Sequence, residues 1–288
     1  MRYHVAVRTP GLDVEAWSSV RLPFEPKGWL VDFRRDLAHA CRTLDATPRQ
    51  VLHATYTSAG RRPADLENIL TYNLGTGAVR TAAKHGLMLE RVYTPADDGE
   101  HHYRYRLMDQ EQQWTHWAVS AALGSIHLRA PAIAFAEPKT GRWWLHSRRG
   151  DLRAPVQTAS VPDRFVLRIT VSPPGGWRGS LVSLVKPLVD GLISAMHAHD
   201  DSSLAAVLSR SSSIDPDLTP TAFRALLKEP SVAPLGRVRL VVPWGTTLQW
   251  LPADDRIVAL DIRLCTDREP GTVTAEAMSA VALGHGWT

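Results

Sequence analysis

Carboxylates are the side chains whose types and spacing in this 288-residue chain could do chemistry. Asp65 and Glu67 stand two apart in the helix start Arg62-Pro63-Ala64-Asp65-Leu66-Glu67-Asn68, and Asp97-Asp98 follow ahead of His102-Tyr103-Arg104-Tyr105-Arg106-Leu107. In the second half Lys186-Pro187-Leu188-Val189-Asp190-Gly191 opens a comparable helix, and Asp254-Asp255 lead into Arg256-Ile257-Val258-Ala259-Leu260. Hard divalent cations take oxygen ligands, so a few carboxylates completed by water suit Mg²⁺ or Mn²⁺. The candidate ligands are Asp65, Glu67, Asp97, Asp98, Asp190, Asp254 and Asp255, with catalytic roles assigned to Asp65, Glu67, Asp190 and Asp255. Each has a plainer role as well. Asp65 can cap a helix, Glu67 can complement its dipole, and both double aspartates can sit in solvated turns.

Cations near these acids point to phosphate as the partner. Arginine forks match phosphate oxygens, and Arg61, Arg62 and Lys186 each lie a few residues from a candidate ligand. A second basic stretch, Gly141-Arg142-Trp143-Trp144-Leu145-His146-Ser147-Arg148-Arg149, interleaves aromatics with cations. A strand or hairpin of this kind could stack on bases through Trp143 and grip phosphates through Arg142, Arg148 and Arg149. The competing reading is a strand with one tryptophan in the core and a charged tip. His197 and His199 are metal-ligand types, but residues two apart on a helix face nearly opposite ways. No phosphate-binding glycine loop, GxGxxG, HExxH or GxSxG pattern occurs.

These residues need elements to hold them. Tyr3 to Arg8 reads as a strand, Leu30 to Leu44 as a helix, and Val51 to Thr57 as a strand after Pro48. A helix from about Leu66 stops at Gly75, and His101 to Leu107 is a strand. Gln110 to Leu123 reads as a helix, and Ile126 to Phe135 with Arg142 to His146 as a hairpin around Glu137-Pro138-Lys139-Thr140-Gly141. Phe165 to Val171 alternates cleanly as a strand. Leu181 to His197 carries the strongest amphipathic pattern, with a helix start expected at or just before Pro187. Asp200 to Asp217 reads as a Ser-rich mobile loop, and Thr219 as the cap of a short helix. Arg237 to Val242 and Arg256 to Leu264 read as paired strands, and Thr274 to Leu283 as a final helix.

Composition supports a folded chain. A 44% hydrophobic content supplies a core, and the net charge of +4 comes mainly from arginine. No apolar run approaches a membrane span and no signal region follows Met1, so a cytoplasmic protein without a membrane partner is expected. Cys41 and Cys265 lack the spacing of a zinc site or a disulfide framework.

Asp65-Leu66-Glu67-Asn68 resembles the Asp-x-Asp-Asn helix start of the RusA family of Holliday-junction resolvases, with Glu67 in place of the second aspartate. Asp254-Asp255-Arg256-Ile257-Val258 resembles the double aspartate and strand of the same family. The resemblance implies a metal-dependent, structure-selective endonuclease of DNA with Mg²⁺ or Mn²⁺ on its carboxylates. It also implies an α/β protein of two related α+β units, pseudo-duplicated, with mixed sheets packed against helices, one at 1–109 and one at 110–288. Departures are plain: Thr71 and Ser194 stand where the family carries lysine, Leu188 replaces the first aspartate of the second unit, and Gly191 replaces its asparagine. Three arrangements follow: one working site, a site combining carboxylates from both units, or two decayed sites on a binding scaffold. The alternative from a different class is a non-catalytic binding or assembly protein with a protein partner, and a homo-oligomer is left open.

Overall fold

A computed structural model describes residues 2–59, 64–94, 100–154, 162–229 and 233–283. The chain is of mixed α/β content. Strands β1 (Tyr3–Thr9), β2 (Asp13–Ser18), β3 (Gln50–Ala59), β4 (Gly86–Thr94) and β5 (His101–Asp109) come from the first half. Strands β6 (Trp117–Arg129), β7 (Asp151–Arg153), β8 (Phe165–Ser172), β13 (Ile257–Leu264) and β14 (Thr272–Ala282) come from the second. All ten form one sheet in the order β1-β2-β5-β3-β4-β13-β8-β14-β6-β7.

The two halves meet where β4 and β13 run antiparallel, Glu90 opposite Ala259 through Gly86 opposite Arg263. Gly86 is needed there, because a Cβ would lie 2.8 Å from Val51 Cγ1 and 3.0 Å from the Ile262 carbonyl oxygen. Outward from this seam the strand senses match. β3 is parallel to β4 as β8 is to β13, β5 is antiparallel to β3 as β14 is to β8, and β2 is antiparallel to β5 as β6 is to β14. The edges differ, since β1 precedes β2 whereas β7 follows β6.

Helices cover one face. The first half contributes α1 (Trp29–Cys41) and a π-helical turn (Asn68–Tyr72); the second contributes α2 (Ala132–Ala136), α3 (Thr140–Arg149) and α4 (Leu181–Ala195). Leu52, Leu87, Leu89, Ile169 and Ile262 on the sheet pack with Phe33, Leu37, Trp144 and the apolar length of α4 in one core. Two short strands, β9 (Ala198–His199) and β10 (Arg237–Val238), pair in parallel. Helices α5 (Leu204–Leu208) and α6 (Pro220–Lys228) and the hairpin of β11 (Val241–Trp244) with β12 (Thr247–Trp250) complete the second half. Thr219 caps α6, its hydroxyl oxygen accepting from the Ala222 amide at 3.2 Å. Among the described residues no helix is long and apolar enough to cross a membrane.

The opening strand, α1, β3, β5, β8 and the cap of α6 lie where the sequence places them. Other segments differ. Gln110 to Leu123 is not a helix: from Trp117 it is β6, laddered against β14. Arg142 to His146 is not a strand of a hairpin; it lies in α3, whose Trp143, Trp144, Leu145 and Ser147 are buried. Thr274 to Leu283 is largely β14, whose Thr and Ala side chains fit a strand held between β6 and β8. Arg237 to Val242 does not pair with β13, because β11 pairs with β12 instead. The Ser-rich segment carries α5 and a 3₁₀ turn at Ser211–Ser213.

Helix α4 begins six residues before Pro187 and runs through it. Proline removes the amide that would bond the carbonyl four residues earlier. That carbonyl belongs to Ser183, and the Tyr72 hydroxyl donates to it at 3.4 Å. Gly191 lets α3 approach, since a Cβ there would lie 2.3 Å from Trp143 Cβ and 2.9 Å from the Thr140 carbonyl oxygen.

The opposite face of the sheet holds a smaller core with Val51, Met88, Trp114, Trp117 and Val258. Glu90 is buried in it and accepts from His53 Nε2 at 2.7 Å, the Thr115 amide at 2.9 Å and the His116 amide at 2.8 Å. Arg106 Nε donates to His53 Nδ1 at 3.1 Å, which fixes the imidazole proton on Nε2. Burial alone would raise the Glu90 carboxyl, but the donors from His116, His53 and Thr115 hold it well below the usual carboxylate range.

Two outcomes follow for stability. Gly191→Ala destabilises by about 3 kcal/mol through overpacking, whereas Gly77→Ala, where a Cβ meets nothing within 4 Å, stays near zero; urea unfolding measures both. Glu90→Gln costs roughly 3 kcal/mol near pH 7. A depressed carboxyl stabilises above its unfolded value of about 4.3 and loses that contribution as pH falls, so the gap to wild type narrows below about pH 4.

Candidate metal centre

Asp65 and Glu67 enter the site directly after β3, at the start of the helical turn. Leu66, Ile69 and Leu70 are buried and fix which way the turn faces. The Asn73 amide reaches back to the Asn68 carbonyl at 2.8 Å, an i to i−5 bond, while the Ile69 amide bonds the Asp65 carbonyl at 3.1 Å. Asn68 donates from its amide nitrogen to Asp65 Oδ2, so it orients that carboxylate. Thr71 Oγ1 donates to the Glu67 carbonyl at 2.6 Å, and the buried Arg91 guanidinium donates to the carbonyl of Ala64.

The second half supplies the rest. Asp254 lies on a 3₁₀ turn, Asp254–Arg256, immediately before β13. Lys186 and Asp190 are one turn apart on α4. Lys186 Nζ lies 3.0 Å from Asp65 Oδ2, 2.8 Å from Glu67 Oε1, 3.0 Å from Asp190 Oδ1 and 2.8 Å from Asp254 Oδ2. One ammonium therefore sits among four carboxylates, two from each half. Asp65, Glu67 and Asp254 each offer an oxygen within 4.8 Å of the others, a spacing that could hold a metal ion.

Electrostatics favour a further cation. Fully ionised, four carboxylates against one ammonium leave a formal charge of −3. Glu67 has no side-chain exposure, and its Oε2 has no hydrogen-bond partner. A buried carboxylate oxygen without a donor is costly, and a hard cation is a group that would satisfy it. Burial pushes the Glu67 and Asp190 carboxyls upward and Asp254 to about 7, with neighbouring carboxylates adding to the rise and Lys186 opposing it. The same four acids, with burial working against them, hold the Lys186 ammonium far above its ordinary value.

The sequence-predicted residues divide clearly. Asp65, Glu67, Asp190 and Asp254 come together, and Lys186 joins them as their counter-ion instead of standing apart on a phosphate. Asp255 is half-buried on the same turn, but it is Asp254 that reaches Lys186 and the metal spacing. Arg61, Arg62, Asp97 and Asp98 lie outside the described residues.

Of the basic stretch, Trp143 is fully buried against Phe135 and cannot stack on a base. Arg148 is buried and donates to the His197 carbonyl. Arg142 donates to the Ile133 and Glu137 carbonyls at 3.0 and 2.8 Å, closing the turn before α3. Arg149 alone of these keeps half its side chain in solvent, 4.0 Å from Asp215. Helical periodicity explains this, because α3 turns Trp143 and Arg148 inward. His197 donates from Nδ1 to Ile193 and His199 from Nε2 to Ser202, and no histidine joins the metal-spaced group found among the described residues.

Sequence reasoning missed Arg91 as a support of Asp65. Its only signal was an arginine two residues after Leu89, at the next position on the same face of the strand Gly86-Leu87-Met88-Leu89-Glu90-Arg91.

Removing the ammonium tests the electrostatics. Lys186→Met leaves the carboxylates uncompensated and lowers stability by about 3–5 kcal/mol near pH 8. Carboxyls whose folded values are raised hold protons in the native state, so their contribution to stability falls as pH rises from about 4 toward the Asp254 value of about 7. The loss in Lys186→Met is therefore smaller at pH 5 than at pH 8, as thermal unfolding in EDTA at the two pH values would record.

Compared with known proteins, the chain matches no family model, no curated protein and no solved structure.

Proposed function

We propose that the chain is a nucleic-acid-associated protein that hydrolyses phosphodiesters in structured DNA with Mg²⁺ or Mn²⁺. The observation that carries the reading is the metal-spaced carboxylate set of Asp65, Glu67 and Asp254, which shares a single ammonium and leaves a buried oxygen of Glu67 unpartnered. Those three residues, with Asp190 beside them, would hold the ion. A bound divalent ion supplies charge stabilisation to a phosphodiester under attack and lowers the pKa of an attacking water. Asn68 and Arg91 position Asp65, and Lys186 keeps the carboxylates from repelling one another.

The RusA-like helix start supports the same reading, since its acidic residues and asparagine are the ones gathered here. A composite of both halves is the arrangement this reading adopts, in place of two separate sites. The second reading, a binding or assembly protein, is favoured by Trp244, 68% exposed at the tip of the β11–β12 hairpin. An exposed indole of this kind suits a partner surface.

The test is cleavage of labelled duplex, single-stranded and four-way-junction DNA with Mg²⁺ or Mn²⁺. Metal-dependent cutting is expected, falling at least about 100-fold in Asp65→Asn and Asp254→Asn and persisting in Asp255→Asn. Cutting that survives both of the first two substitutions would overturn the site. Salt-sensitive binding without cutting would favour a scaffold, and neither binding nor cutting would remove the nucleic-acid reading.

A further inference from the structure

The ammonium of Lys186 is placed where a second cation would have to go. It lies within 3.0 Å of Asp65, Glu67 and Asp254, the same three residues whose oxygens have metal-binding spacing. Magnesium binds carboxylate oxygens at roughly 2.1 Å and manganese at similar range, so an ion on these residues would fall inside the volume held by Nζ. Two cations cannot share that cage.

The cluster also has a direction. Glu67 forms its floor with no exposure, Asp190 and Asp254 keep 11% each, and Lys186 and Asp65 keep 23% and 25%. The open side, or mouth, is therefore the one bordered by Lys186 and Asp65. A lysine head on a flexible four-carbon stem can leave by that mouth while α4 stays still. Glu67 Oε2, buried and without a donor, shows that the lysine does not satisfy the floor of the cage even though it fills the centre.

Given the metal site proposed above, we infer that Lys186 is a built-in competitor for the divalent ion: its ammonium closes the carboxylate cage, and metal entry expels it to the mouth. There it faces the side from which a phosphate would approach. The lysine thus serves as counter-ion before metal binds and as an anion-facing group afterwards.

Amine acylation followed by peptide mass spectrometry reads this out on the wild-type chain. Lys84, 41% exposed and outside the cluster, is the internal reference. Mn²⁺ occupancy is measured in the same samples by electron paramagnetic resonance. Addition of Mn²⁺ is expected to speed acylation of Lys186 by about tenfold and leave Lys84 unchanged. Bound Mn²⁺ with Lys186 acylation unchanged or slower would overturn the competitor role and leave the metal site standing. Absence of bound Mn²⁺ from both the wild type and Lys186→Gln would remove the metal site itself, and the inference with it. Lys186→Gln is expected to bind Mn²⁺ about tenfold more tightly than wild type, and weaker binding by a folded variant would count against competition.

Discussion

The pairing of β4 with β13 is the constraint on which the molecule turns. It joins two half-sheets that each bury apolar side chains on the helix-covered face, and it brings the end of β3 and β4 beside the start of β13. Asp65 follows β3 and Asp254 precedes β13, so one antiparallel seam makes neighbours of residues 189 positions apart. Gly86 permits the approach because a side chain there would meet Val51 and the Ile262 carbonyl. A seam that close could not shift by a residue without turning the apolar face of β13 away from the core.

Once the seam places these acids together, charge dictates much of the rest. Buried carboxylates repel one another and resist ionisation, so the fold needs a cation among them. Lys186 meets that need from α4, and its position depends on Pro187 being tolerated inside the helix. Tyr72, on the turn that follows the first pair of acids, donates to the carbonyl that Pro187 leaves unpaired. The two sides of the site are thus tied twice, by ion pairs through Lys186 and by a hydrogen bond through Tyr72.

Local signals in the sequence were sufficient where the chain is locally determined. Cap chemistry located α6, period-two alternation located β8, and 3.6-residue spacing located α1. They failed where distant pairing decides the outcome. Thr274 to Ala282 is rich in alanine, a good helix former, yet β6 and β8 hold it as a strand from both sides. Arg142 to Arg149 carries two adjacent tryptophans that look like strand material, but one helical turn buries both, against Phe135 and Phe223. For the site, residue types identified Asp65, Glu67, Asp190 and Asp254 without showing that they share one cage. The choice of Asp254 over Asp255 is a matter of which way a 3₁₀ turn faces, and no spacing rule reports that.

The sheet also explains why the four acids form one shared cluster and not two separate ones. By strand order and sense, β13 corresponds to β4 and β14 to β5. Asp254 and Asp255 precede β13, whereas Asp97 and Asp98 lie between β4 and β5, so the two double aspartates stand before strands that do not correspond. The segment that does correspond to Asp254, just before β4, reads Ala82-Ala83-Lys84-His85 and carries no carboxylate. The helical elements have parted in the same way: one half presents a short π-helical turn preceded by two acids, the other a long helix bearing the lysine and Asp190. The first half supplies two acids and no base, and the second supplies two acids and the one lysine, so the ammonium that balances the first pair comes from across the seam. The cluster as it stands therefore draws on both halves at once, which a chain holding them in one continuous sheet provides without an association step.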